Sequence, residues 1–379
     1  MKFPALFIFT VFFSALGAEA GAAPALSHAP DISFRHEVQH AIDKGLGWLQ
    51  TNQNTNGFWS TADQPAVTAL ALTAFMGEPS GAYQSNPTPA IQLGYQFVTA
   101  NAKPDGSIYN KGLQNYNTAI CMMGLLAAHN PQFDPILRHG RQWLISQQVR
   151  TNSSFDGGVG YGDHGPYSDM NNTMTALQAL YYSKYLDADK PAGGKDLNWA
   201  AAIHFIQSCQ NLPAYNKEPW VSDDTRDKGG FVYLPGQTKS GSFTNAAGRV
   251  ALRSYGSISY AGLLSYIYAD LQRDDPRVRA AFDWLRRNYT LDENPGMGPQ
   301  GLYYYMHLMT KALTIYGVDQ LPTANGQTVD WRRDVAMKLI NLQKADGSWA
   351  NANGRWWEHD PALVTSYSLM SLEMLYPSL

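Results

Sequence analysis

Charge is scarce in this chain. Only 16% of its 379 residues are Asp, Glu, Lys or Arg, and the net charge is −3. With no Lys/Arg-rich run, it has no electrostatic footprint for nucleic acid or for an anionic membrane surface. Cysteine is nearly absent as well: Cys121 and Cys209 stand in helical patterns of different segments and build no disulfide framework. They read as two buried thiols, a single bridge being the less favoured alternative. No stretch reaches about 18 consecutive apolar residues, the length a membrane-spanning helix needs. The apolar run from Phe3 to Leu16, flanked by Lys2 and the small-residue site Ala18-Glu19-Ala20, has the grammar of a secretory signal over residues 1–20. The mature chain is therefore expected to begin at Gly21, with residues 21–33 as a linker, and to be exported to a periplasm or the medium. A Ser-His-Asp signature and a phosphate-cradling Gly loop are also missing, and neither a cofactor nor a metal centre is implied.

What the chain does contain is repetition. A helical pattern ending in Gln or Asn runs into a Gly-aromatic turn and then a more apolar helical pattern. The copies from Trp48 to Trp59 and from Met337 to Trp349 are the clearest, with Gln53 and Gln343 placed alike before an Asn/Asp-Gly-x-Trp turn. Weaker turns follow at Asp105–Tyr109, Gly157–Tyr161 and Gly229–Tyr233, and a degenerate one at Pro295–Gly298. A period of about 50 residues, stretched by insertions, belongs to a repeat architecture.

The first helix of each pair is expected near residues 34–52, 88–101, 134–149, 196–210, 276–288 and 329–343. These are amphipathic, as in the stripe Val38, Ile42, Gly45, Leu49. The second is expected near 65–77, 115–129, 169–186, 254–271, 301–316 and 361–376. Segments such as Thr118 to Ala128 are apolar nearly all round and need protein on every side. Two concentric layers satisfy both patterns, so the fold class is all-α: an (α/α)6 toroid of six helical hairpins over residues 34–379. The insertions near 150–168 and 211–253 would gather over one mouth.

That mouth collects the candidate site. Starts of the inner helices bring Tyr116, Asn117, Asn171, Asn172, Tyr255, Tyr303, Tyr304 and His307, and the segment before the last inner helix adds Trp356, Trp357 and His359. Aromatic faces with amides and few charges suit a ring-bearing or polyene ligand, and six helix N-termini there favour an anionic group. Truncating Asn172 or Tyr304 is expected to weaken ligand retention. Two other patterns carry less. His36-Glu37-Val38-Gln39-His40 matches HExxH, but both histidines fall opposite the apolar stripe, on a solvated face. Ser222–Asp227 is acidic yet has no partner carboxylates at helical spacing, and reads as a solvated turn.

Gln followed by Gly-x-Trp at the end of an outer helix resembles the QW repeat of squalene-hopene cyclases. The six hairpins, covering roughly residues 34–376, resemble the terpenoid cyclase and protein prenyltransferase superfamily. In length and export the chain looks most like bacterial secreted prenyltransferase or squalene-oxidase repeat proteins. The resemblance implies an isoprenoid or polycyclic apolar ligand in the central cavity and, if the protein is an enzyme, cyclase- or isomerase-like chemistry. It also identifies a departure. Protonating cyclases carry Asp-x-Asp-Asp-Thr with the central Asp as proton donor; the matching stretch here is Asp169-Met170-Asn171-Asn172-Thr173, so the donor position holds Asn171. Asp169 remains as the catalytic candidate, although a helix N-terminus favours its ionised form, and as a plain N-cap it needs no catalytic role. The inner-helix starts at Ser254–Ser257 and Asp360–Thr365 lack the Cys and His of zinc-dependent prenyltransferases. Two further readings stay open. One is a glycan-active toroid using Asp163, His164 or Asp169 as acid or base. The other is a scaffold that binds a protein. The sequence leaves the oligomeric state open.

Overall fold

The computed structural model describes residues 31–162, 165, 167–187, 196–245 and 248–379. The expected signal segment, most of the linker, Asp163 and His164 lie outside the described residues.

Among them are twelve helices of ten residues or more. The outer six are α1 (Ile32–Thr51), α3 (Pro89–Ala100), α5 (Asp134–Ser146), α7 (Trp199–Ser208), α9 (Pro276–Arg287) and α11 (Trp331–Leu342). The inner six are α2 (Pro65–Gly77), α4 (Gln114–Ala127), α6 (Met170–Tyr182), α8 (Gly256–Tyr268), α10 (Leu302–Tyr316) and α12 (Pro361–Leu375). Each inner helix packs on the next, and α12 packs back on α2, so the ring is closed. The fold is an all-α toroid. Two short antiparallel hairpins decorate it: β1 (Ser242–Thr244) with β2 (Val250–Leu252), and β3 (Leu321–Pro322) with β4 (Thr328–Val329). No helix among the described residues is long and apolar enough to cross a membrane.

Local chemistry explains where the helices start. Asp31, Thr88, Asp169, Asn198, Asp275, Asp330 and Asp360 each accept a hydrogen bond from a backbone N–H of the helix that follows, and Pro65, Pro89, Pro276 and Pro361 occupy first-turn positions where no N–H is missed. The amphipathic α1 turns Val38, Ile42 and Leu49 inward, whereas His36, Glu37 and His40 are exposed.

Two circuits of hydrogen bonds hold the ring. The outer one joins neighbouring outer helices through the turns. Gln53 Nε2 donates to Gly57 O at 2.9 Å and to Ala90 O of α3 at 2.7 Å. Gln148 does the same to Gly157 O and Asn198 O, both at 2.9 Å. Gln210 reaches Gly229 O and Arg277 O, both at 3.0 Å, and Gln343 reaches Gly347 O and Ala41 O, both at 2.9 Å, which joins α11 back to α1, so that glutamines bridge four of the six outer seams. One amide thereby satisfies a turn carbonyl and adds a second bond to a carbonyl of the neighbouring outer segment. The turn glycines sit against the neighbouring helix: a Cβ on Gly157 (φ +90°) would lie 2.0 Å from Ala201 O, and one on Gly347 (φ +95°) 2.5 Å from Lys44 O. Trp59 and Trp349 are fully buried, and their Nε1 groups donate to Leu49 O and Leu339 O at 2.7 and 2.8 Å.

Each turn is also pinned from inside. The backbone N–H groups of Trp59, Ile108, Val159, Phe231 and Trp349 donate to the hydroxyls of Thr68, Thr118, Thr173, Ser259 and Thr365, at 2.9 to 3.1 Å. Three of these hydroxyls, on Thr118, Thr173 and Thr365, lie in the segments expected to line the mouth; the structure uses them to hold the wall. The degenerate turn has a different device. Asn294 Oδ1 accepts from Ser257 N at 2.9 Å, and its Nδ2 donates to Ser257 Oγ and Gln300 O.

The second circuit gathers the inner N-termini at one mouth. Lys111 N donates to Asp63 O, Asn115 N to Tyr161 O, Met170 N to Tyr233 O and Gly256 N to Pro295 O, at 2.8 to 3.2 Å. Tyr304 N donates to Glu358 Oε1 at 2.8 Å, and Ser60 Oγ to Asp360 Oδ2, completing the round.

The acidic loop Ser222–Asp227 corrects its solvated-turn reading. Asp227 is buried, accepting from Ser254 N at 3.0 Å and from Arg253 at 2.8 Å, while Asp224 pairs with Arg226 at 2.8 Å. Its carboxylates hold the insertion to the start of α8. Cys121 and Cys209 are free, buried thiols.

Candidate functional site

The inward face of the barrel is marked by the inner-helix residues that keep some contact with solvent. After its first residue, α4 has four partly accessible positions, Tyr116, Ile120, Met123 and Ala127, spaced along one face; the positions between them are buried. With α2 and α6 at its sides and outer helices behind, that face looks into the ring. On α10 the corresponding positions are Tyr304 and Lys311, on α12 Met370, and on α6 Asn171.

Side chains span this hollow in tiers. In the upper tier, Tyr304 OH of α10 donates to Asn171 Oδ1 of α6, across the width of α8. The hydroxyls of Tyr116 (α4) and Tyr367 (α12) stand 3.4 Å apart, across the width of α2. Rings of Tyr304 and Tyr367 lie 5.6 Å apart, and His307 stacks on Tyr367 at 5.2 Å with its Nδ1 3.4 Å from Ser371 Oγ. Two helical turns deeper, about 10 Å down the axis, Lys311 Nζ donates to Gln178 Oε1 at 3.4 Å.

Burial sets the protonation states. The phenols of Tyr116, Tyr304 and Tyr367 are held above their ordinary range by burial and by one another, so they are neutral hydrogen-bonding groups. Burial and nearby Lys311 push His307 well below its usual value, leaving a neutral imidazole. Lys311 is lowered to about 8 by burial.

Asp169 lies in the wall rather than in the hollow. Its carboxylate is fully buried at the N-cap of α6, accepting from Asn172 N at 2.9 Å and Asn172 Nδ2 at 2.7 Å. Burial raises it to about 6, although hydrogen bonds from Asn172 and Tyr233 pull the other way. The sequence-based expectation of a dipole-lowered carboxylate is thus corrected: desolvation outweighs the helix end.

The candidate residues divide. Tyr116, Asn171, Tyr304 and His307 meet in the upper tier. Asn117 does not: it is fully buried, accepting from Ala66 N and donating to Gln64 Oε1 at 2.7 Å, a strut between α4 and the start of α2. Asn172 is buried against Asp169, its Oδ1 without a partner. Tyr255 and Tyr303 are buried wall residues, Tyr303 beside Glu358. Trp356 and Trp357 stand at the rim with exposures of 42% and 44%, on left-handed backbone at φ +54° and +67°. His359 is exposed, with Nδ1 3.2 Å from Gly354 O.

Sequence reasoning missed Lys311, Gln178, Ile120, Met123 and the rim carboxylate Glu358. A signal for the first was available. The six inner helices contain two charged residues, Lys311 and Glu373, so each is conspicuous against an uncharged background. Glu373 lies near the far end of α12, buried and held neutral by burial and by Glu78.

No family model and no curated protein sequence matches the chain. Solved structures do match its shape. The apo type II terpene cyclase MstE from Scytonema superposes with a TM-score of 0.53 at 12% identity, covering 91% of this chain and 99% of its own. An α-1,6-mannanase, GH76A of Salegentibacter sp., in complex with α-1,6-mannotriose, gives 0.54 at 11% identity over 90% and 100%. A protein of Salmonella enterica described as a possible GH105-family member gives 0.54 at 12% over 94% and 97%. At these identities the likeness concerns the fold alone.

Proposed function

We propose that the toroid is an exported protein that holds an isoprenoid or polycyclic apolar molecule in its central hollow. The observation that carries this reading is the lining: Tyr116, Ile120, Met123 and Ala127 on α4 oppose Tyr304 on α10 and Met370 on α12, a surface of phenol faces and apolar groups. Such faces take ring systems and polyenes and stabilise positive charge. Acid-initiated cyclisation is not part of the proposal. Asn171 stands where protonating cyclases place their donor, and an amide cannot protonate an alkene. Asp169, although raised to about 6, is sealed behind Asn172 and Tyr233. Its role is to cap α6.

One observation favours a second reading, action on a glycan. Trp356 and Trp357 are presented at the mouth on backbone that bulky residues avoid, an arrangement suited to stacking on sugar rings. A glycosidase would also need two carboxylates flanking the bond cleaved. Native mass spectrometry after incubation with squalene, hopanoids and carotenoids beside acidic oligosaccharides separates the two. Retention of lipid is expected; retention of sugar without lipid would reverse the assignment.

A further inference from the structure

Lys311 is the one charged residue of the hollow among the described residues, and an apolar ligand does not explain it. It sits two turns below the tyrosine tier, on helices otherwise free of charge except at Glu373. Its single polar contact is Gln178 Oε1 at 3.4 Å, a long bond to a neutral group. No carboxylate pairs with it among the described residues, and burial is the sole influence on its proton affinity, with no acidic neighbour to offset it. An ammonium inside the barrel, half-buried and without a counter-charge, is partly desolvated, and a bound anion would offset that cost. Gln178 adds to this. Its oxygen faces Lys311, and its Nε2 makes no hydrogen bond among the described residues, so a donor stands beside the cation. On the next turn of α10, Thr314 Oγ1 is buried with no partner among the described residues.

We infer that the lower half of the hollow is an anion seat, in which Lys311 Nζ and the Gln178 amide receive the carboxylate or phosphate head of a ligand whose apolar body lies upward against Met123, Ile120, Tyr116 and Tyr304. This rests on the reading of the hollow as a ligand site and narrows it to amphipathic molecules bound head-down. It also moves the anion away from the helix N-termini at the mouth, where sequence placed it, to the middle of the barrel.

The test compares three probes that share one C15 chain and differ only in the head: farnesol, farnesoic acid and farnesyl monophosphate. Calorimetric titration of the full mature chain should give the acid or the phosphate at least about tenfold tighter binding than the alcohol, as a charge-assisted hydrogen bond supplies. Whichever of the two binds more tightly identifies the head. Lys311→Met should bring the three within about twofold of one another, whereas Lys311→Arg should keep the preference. Equal binding of alcohol and acid by the unaltered protein, or a preference that survives Lys311→Met, overturns the anion seat and leaves the hollow as an apolar site. Failure of all three probes to bind overturns both. The comparison of probes on the unaltered protein needs no variant, so it decides the matter even if Lys311→Met does not fold.

Discussion

The seams between outer helices and the hollow between inner helices come from the same six hairpins, but they use sequence in opposite ways. At the seams one solution is repeated: a Gln amide bridging two carbonyls, a turn glycine against a neighbouring backbone, and an inner-helix hydroxyl under the turn. In the hollow the copying is looser. Tyr116 and Tyr304 share one position and Met123 and Met370 another, but Asn171 at the first level and Gln178 and Lys311 at the second break the pattern. Geometry that must recur is solved once and copied, while recognition breaks the symmetry. The degenerate fifth turn shows the cost of losing the copied solution, since Asn294 has to make three bonds to replace it.

Substitutions at the seams should act on stability alone. The largest effect is expected for Trp349→Ala, which empties a fully buried site and removes the bond to Leu339 O; a loss of about 3 to 5 kcal/mol in denaturant unfolding is predicted. The pH dependence should be next in size. Asp169 has a folded value of about 6 against an ordinary 3.8, so its neutral form is favoured by folding. Its contribution is fully present below pH 4 and disappears as pH rises through 6, on the order of 2 to 3 kcal/mol. Asp169→Asn should flatten that part of the stability profile relative to the unaltered chain; an unchanged slope would mean that Asp169 is not the group responsible. Gln343→Ala should cost about 1 to 3 kcal/mol by leaving the Gly347 carbonyl unsatisfied and cutting the tie to Ala41, with ligand retention untouched; weakened retention would show that the seam and the hollow are not separable.

In the hollow the pattern should invert. Tyr304→Ala should weaken farnesol retention by about 1 kcal/mol or more through the lost ring contact, with little change in unfolding. Asn172→Ala, which the sequence alone groups with Tyr304, should leave retention unchanged because Asn172 faces Asp169 in the wall. Equal effects of the two variants would collapse the distinction between wall and lining.

This contrast also explains what could be read in advance. The helix pairs were legible because periodicity and caps are local: the expected spans 65–77 and 361–376 meet observed helices Pro65–Gly77 and Pro361–Leu375. The poorest match, 169–186, overruns Met170–Tyr182 by four residues at its C-terminal end. The lining was only half legible. Neighbouring residues at a helix start point about 100° apart, so whether Tyr116 or Asn117 faces inward depends on the tilt of α4 in the closed ring. No local rule supplies that angle. Deeper positions such as Met123 were missed because an apolar residue facing a hollow looks, in sequence, like one facing a neighbour.

The central claim is that inner-face residues of the barrel border open space. Met123→Trp tests it most directly, read by thermal unfolding together with farnesol titration. If the hollow exists, the indole enters it, the melting temperature stays level or rises, and farnesol binding is lost. If unfolding instead shows the loss of about 1 to 3 kcal/mol typical of an overpacked core, the space is not there and the proposed site goes with it.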